Sequence, residues 1–200
     1  DEAIIVRNPV DATDRTRPTR RAQYMDTQIS IIAEAKHLRL VRQGRWEFVE
    51  RIRMSGIVGI VALTQDRRLL FVEQPRVPVG CRVIELPAGL AGDAPAFQGE
   101  SLEAAAEREL LEETGYQAQS LSCLFCGPTS PGMTNEEITF FLARDCALAE
   151  TRSIDPSEDI VVHAVPLPAV EAWLGEQAAL GKAIDIKVYA GLYVARKFSS

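Results

Sequence analysis

The segment Ile57 to Leu63 is a near-continuous run of β-branched and other apolar residues, which reads as a buried strand. A polar turn, Gln65 to Arg68, separates it from a second apolar strand, Leu69 to Glu73, so the two form a central hairpin. Val83 to Leu86 is a short strand closed by Pro87-Ala88-Gly89, and Gly92 to Gly99 is a loop rich in Gly, Ala and Pro. Glu100 to Thr114 reads as a strong helix that stops at Gly115. Strands are expected at about Ala118 to Cys126, Ile138 to Ala143 and Ile160 to Val165, and helices at about Pro168 to Ala179 and Asp185 to Lys197. Strands mixed with a few long helices indicate an α/β sandwich. Ahead of it, His37 to Arg42 and Trp46 to Ile52, joined by a turn at Gly44-Arg45, read as a small β hairpin.

A chain of 200 residues, 46% hydrophobic and 25% charged, can bury the core of one main domain with a small N-terminal appendage. Residues 1 to 28 are polar and broken up. Their basic side chains, Arg15, Arg17, Arg20 and Arg21 among them, are balanced by Asp1, Glu2, Asp11, Asp14 and Asp26. That balance supports a flexible or partner-docked tail rather than a transit peptide or a nucleic-acid arm. No apolar run approaches the ~20 residues needed to span a bilayer, and Ile4 to Val6 is too short for a signal-peptide core. The expectation is a soluble, cytoplasmic protein. A formal charge of -6 argues against non-specific attraction to nucleic acid or anionic membrane. Cys81, Cys123, Cys126 and Cys146 make no disulfide scaffold. Cys123 and Cys126 form a C-x-x-C, but no second half-site exists to complete a zinc site, and a structural place in an apolar strand is the plainer reading.

The chemistry lies in Glu100 to Tyr116. On a helix, Glu109, Glu112 and Glu113 stand at i, i+3 and i+4, so their carboxylates crowd one face. A solvated acidic face is one reading. The trio, however, sits in the last turn, where the helix dipole disfavours anions, so a positive group should occupy the site. Mg²⁺ or Mn²⁺ fits, as a hard cation that takes carboxylate oxygens and bridges to phosphates.

Glu100, seven residues, Arg108-Glu109-Leu110, Leu111, Glu112-Glu113, Thr114, Gly115 and Tyr116 match in order the box of the Nudix hydrolases, G-x5-E-x7-R-E-U-x-E-E-x-G-U, where U is a bulky apolar residue. The front departs from it. The glycine counterpart is Gly89, which leaves ten residues where the pattern has five and implies an insertion over about Gly92 to Phe97. The resemblance implies a Nudix α/β/α sandwich with a mixed sheet over residues 54 to 200, and a small N-terminal β element over 29 to 53 that mediates a homodimer. It also implies metal ligation by Glu109 and Glu113, with Glu112 as a further ligand and the Ala88 carbonyl completing the shell. Arg108 and Glu100 would orient helix and loop. Glu112, Arg108 and a base on a late loop would carry catalysis; Glu158, in Asp155 to His163, is the first choice of base, with Glu136 and Glu137 in reserve.

Several pieces resemble the ADP-ribose and nucleotide-sugar branch of that family. They are Phe71 to Pro78, Glu85-Leu-Pro-Ala-Gly89, Ser130-Pro131-Gly132 with its proline fifteen residues past Tyr116, and Gly181 to Lys187. The implied reaction is hydrolysis of a nucleoside diphosphate derivative, such as ADP-ribose to AMP and ribose 5-phosphate, with GDP-mannose or another nucleotide sugar as the alternative substrate. Arg76 would face the diphosphate or terminal ribose, since a guanidinium fork suits phosphate oxygens. Trp46 and Phe48 are candidates to stack a base, Pro131 and Gly132 to line the substrate site, and Arg51 and Arg53 to meet phosphate. From another class, an ADP-ribose sensor would bind without cleaving, but it has no need of the complete acidic set.

Overall fold

The computed structural model describes residues 28–149 and 159–198. The tail expected over residues 1 to 28 thus lies outside them but for its last residue, and so does Glu158. Three strands come first: β1 (Ile29–Glu34), β2 (Leu38–Gln43) and β3 (Trp46–Arg51). They form an antiparallel sheet in the order β1-β2-β3. The expected hairpin therefore gains a third strand, β1, whose residues are all exposed. Ile29, Ile31 and Ile32 are exposed on it.

The main sheet is built from β4 (Gly56–Thr64), β5 (Arg68–Arg76), β6 (Cys81–Glu85), β7 (Ala88–Ala91), β8 (Tyr116–Gln117), β9 (Ser120–Pro128), β10 (Glu137–Leu148), β11 (Val161–Pro166) and β12 (Ala183–Ile184). Its path runs β12-β6-β5-β4-β10-β8, with β11 on β5, β7 on β4 and β9 on β10. β10 pairs with β4 in parallel, as β12 does with β6, and the remaining pairings are antiparallel, so the sheet is mixed. The helices are α1 (Leu102–Thr114), α2 (Val170–Ala179) and α3 (Lys187–Phe198).

Both faces of the sheet are covered, which is why β4 is apolar at almost every position. Val58, Ile60 and Ala62 point to one side and pack with Ala105, Ala106 and Leu110 of α1. Val61 and Leu63 point to the other and pack with Val170 and Leu174 of α2 and Val188 and Leu192 of α3. The α/β/α sandwich follows from this alternation. Among the described residues no helix is long and apolar enough to cross a membrane.

Three boundaries moved for physical reasons. The helix expected from Glu100 starts at Leu102, because the Ser101 hydroxyl accepts from the Ala104 N–H and caps it. Ala88–Ala91, whose first two residues read from sequence as the close of the preceding strand, is itself a strand because β4 supplies its backbone partners, Val58 to Gly89 among them. The helix expected from Pro168 begins as a 3-10 turn, Leu167–Ala169, before α2. Cys123 and Cys126 lie on β9 but are exposed rather than buried in an apolar strand.

Candidate functional site

α1 ends where the sequence requires, with Gly115 in the left-handed region at φ 73° and its N–H donating to the Leu111 carbonyl. The last turns of the helix lie against the start of β7. The Ala88 N–H donates to Glu113 Oε2 at 3.0 Å, and Glu113 is buried. Glu109 presses against Gly89 so closely that a Cβ there would fall 1.9 Å from its carboxyl carbon. The glycine of the box is therefore needed for close approach.

Arg108 gathers the acidic groups. Its Nη1 donates to Glu109 Oε1 and Glu112 Oε2, each at 2.9 Å. Nη2 donates to Glu100 Oε1 at 2.9 Å and to the Leu90 carbonyl at 3.1 Å, and Nε reaches Glu100 Oε2 at 3.3 Å. Glu100, left outside the helix by the Ser101 cap, also accepts the Gly92 N–H at 3.0 Å, so one carboxylate ties the loop to the helix. The bond from Arg108 holds the Glu100 carboxyl below its ordinary range, against a smaller cost of burial. The inserted stretch contributes a 3-10 turn, Pro95–Phe97, and the Phe97 ring lies over the Arg108 guanidinium at 4.1 Å.

Burial pushes the Glu109 carboxyl up to about 7, with Glu112 and Asp93 pushing the same way and Arg108 opposing. A buried acid so close to neutrality is a group that a cation could take from its proton. Among the described residues no three His, Cys, Asp or Glu side chains are gathered as a ready metal cage. Protein donors hold them instead, Arg108 between Glu109 and Glu112, and the Ala88 N–H on Glu113. By donor chemistry the residues still fit a hard divalent cation, since all the groups are carboxylate oxygens on one helix face.

The expected substrate contacts fall into separate places. Arg76 and Glu85 pair at the ends of β5 and β6, with Arg76 Nη2 to Glu85 Oε2 at 2.8 Å, and Gln74 donates to the same oxygen at 2.9 Å. Arg76 and Glu85 line a cleft of about 350 Å³ with Val79, Ile184 and Ile186. Gln74 and Glu85 belong to the two segments that resemble the branch, and the pairing of β5 with β6 is what brings them beside Arg76. Pro131 and Gly132 lie exposed in the loop between β9 and β10. That loop is fastened to the N-terminal sheet by the Val49 N–H on the Met133 carbonyl at 2.8 Å, Asn135 on Glu50 at 2.8 Å and Arg51 on Glu136 at 2.8 Å. Arg51 and the reserve base Glu136 are thus each other's partners. Glu137 is exposed at the start of β10, Trp46 is exposed, Phe48 is half-buried, and Arg53 sits at φ 62° beyond β3.

The sequence also concealed a second charged cluster. Glu73, buried on the α2 side, accepts from Arg82 Nε at 2.7 Å and from His163 Nε2 and Lys182 Nζ, each at 2.8 Å. His163 of β11 thus meets Glu73 of β5. Burial opposes the charge on Glu73, but these donors outweigh it and bring the carboxyl down to about 2.

The model of the NUDIX domain family matches residues 55–189. The chain is 36% identical to an ADP-ribose pyrophosphatase of Bacillus subtilis over 59% of this chain and 62% of that one. It is 34% identical to an ADP-sugar pyrophosphatase of Mus musculus over 72% of this chain and 71% of that one. A crystal structure of an ADP compounds hydrolase superposes with a TM-score of 0.62 at 19% identity, covering 86% of this chain and 91% of that one, and shares the fold. The chain spans less than two thirds of the length of the B. subtilis relative. The match of the family model, the α/β/α architecture and the Gly89-to-Gly115 box running from β7 through α1 agree: this chain belongs to the NUDIX domain family.

Proposed function

We propose that the chain hydrolyses the diphosphate linkage of a nucleoside diphosphate derivative, with ADP-ribose, cleaved to AMP and ribose 5-phosphate, as the first substrate and other nucleotide sugars next. The observation that carries this reading is the apposition of Glu109 and Glu113 to Gly89 and Ala88, with Arg108 joining Glu109, Glu112 and Glu100. Glu109, Glu112 and Glu113, with the Ala88 carbonyl, would hold Mg²⁺ or Mn²⁺. Such an ion supplies neutralisation of the developing phosphate charge and a water of lowered pKa. The chain's own residues do the rest. Arg108 and Glu100 keep α1 against the loop, and Arg76 with Glu85 offers a charged pair to the substrate's far end. Glu158 would take the proton from the attacking water. The exposed isoleucines of β1 support a homodimer through the N-terminal sheet, since an apolar edge strand with no further partner among the described residues is an association surface.

The test is release of monophosphate from ADP-ribose, nucleotide sugars, NADH and dinucleoside polyphosphates, each with Mg²⁺, Mn²⁺ or EDTA. Cleavage of ADP-ribose or nucleotide sugars that EDTA abolishes, and that Glu109→Gln lowers by ~10³-fold or more, is the expected result. Tight ADP-ribose binding without cleavage under every condition would replace the hydrolase by a sensor.

A further inference from the structure

The insertion before α1 has a structural product. The loop from Gly89 to Glu100 is longer than the pattern it resembles, and the added length holds the turn Pro95–Phe97, whose last residue meets Arg108 of α1. Phe97 ends that turn with its ring centroid 4.1 Å from Arg108 Cζ, well inside the ~6 Å reach of a cation–π contact.

The edge of the guanidinium is already committed. Nε and Nη2 meet Glu100, Nη2 also meets the Leu90 carbonyl, and Nη1 alone serves both Glu109 and Glu112. Bonds at the edge fix where the nitrogens reach but resist tilting of the plane weakly, because the Arg side chain has several rotatable bonds. A ring on the face supplies that resistance and keeps water off it; the Arg108 side chain is only 16% exposed.

We propose that Phe97 is a positioning residue: its ring locks the plane of Arg108, so that Nη1 holds Glu109 and Glu112 at the spacing from which the acidic face takes a divalent cation. This rests on the hydrolase reading above and gives the insertion a purpose, the delivery of one aromatic face to one arginine. Phe97 touches neither substrate nor metal ligands in this scheme; it acts through Arg108.

Two variants separate the ring from its bulk. Phe97→Leu keeps an apolar side chain without a π face, and Phe97→Tyr keeps the ring. Mn²⁺ binding to the full chain is measured by electron paramagnetic resonance of the free ion, with no substrate present, and kinetics are measured with ADP-ribose. Phe97→Leu is expected to weaken Mn²⁺ binding by about 10-fold and to lower kcat by a similar factor with KM for ADP-ribose little changed, the scale seen when groups supporting metal ligands are removed. Phe97→Tyr is expected to retain Mn²⁺ affinity. Wild-type Mn²⁺ binding in Phe97→Leu, or equal losses in Leu and Tyr, overturns the proposal. If the wild type binds Mn²⁺ but cleaves no substrate, the hydrolase reading fails while the Leu and Tyr comparison still decides the part played by Phe97. A wild type that binds no Mn²⁺ overturns both.

Discussion

Gly89 and Glu109 are in contact so close that no side chain larger than hydrogen fits between them: a Cβ would lie 1.9 Å from the carboxyl carbon and 2.1 Å from Oε1. Gly89 is on β7 and Glu109 on α1, so one missing methyl group sets how near the helix approaches the sheet at the acidic face.

Gly89→Ala should therefore disable the site without unfolding the protein. The added methyl meets the end of a side chain, so Glu109 swings aside rather than α1 detaching. Misplacement of a reacting or ligating group by about 1 Å costs on the order of 10²-fold in rate. The expected outcome is a kcat for ADP-ribose lowered by about that factor with the far-ultraviolet circular dichroism unchanged. Full activity in the alanine variant would mean that Glu109 does not work from this position.

The Glu73 cluster predicts a pH dependence of stability. The folded-state pKa is depressed from its ordinary 4.5 to about 2, so the folded state binds fewer protons than the unfolded state within that window. The contribution is fully present above pH 4.5 and is lost as pH falls towards 2. Glu73→Gln leaves Arg82, Lys182 and His163 around a neutral amide. Because Arg82 and Lys182 are partly solvated, the cost at pH 7 should be about 2 kcal/mol rather than the larger penalty of a fully buried pair. Urea unfolding of wild type and variant from pH 7 to pH 3 tests this. The gap between them should narrow below pH 4.5, and a gap constant to pH 3 would disprove the assignment.

The N-terminal sheet predicts an oligomer. Ile31 is 54% exposed on β1, beside Ile29 and Ile32, and β1 has an open edge among the described residues. Light scattering should give twice the 22.0 kDa of one chain, and Ile31→Lys should shift the mass towards the single chain, because a lysine on an edge opposes strand association. A wild type that is monomeric at micromolar concentration would remove the dimer from the scheme.

What could be read in the sequence was what is encoded locally. The spacing of Arg108, Glu109, Glu112 and Glu113 and the stop at Gly115 lie within one helix, and the helix formed with that stop. The Ile57 to Leu63 run predicted a buried strand, and β4 is buried on both faces. Features created by distant pairing were not legible. Ala88–Ala91 has little strand propensity of its own and is a strand because β4 runs beside it. The partners of Glu73 come from β6, β11 and the residue before β12, and no local pattern joins Arg82, His163 and Lys182. Phe97 looked like one residue of a Gly, Ala and Pro-rich loop, since nothing nearby in sequence announces that it will meet Arg108.

The parallel pairing of β10 with β4 has a consequence for how the chain reaches this state. Ile138 sits beside Ile57 and Phe141 beside Ile60, partners that β5 to β9 and α1 separate in sequence. Closing so long a loop costs chain entropy before the pairing returns anything, which places this step among the slow, non-local events of folding. Phe141 of β10 also packs in the cluster that receives Ala105, Ala106 and Leu110 of α1. On a ribosome the acidic helix therefore emerges well before the strand that completes its seat. Until β10 arrives, the helix has only part of the surface that will hold it.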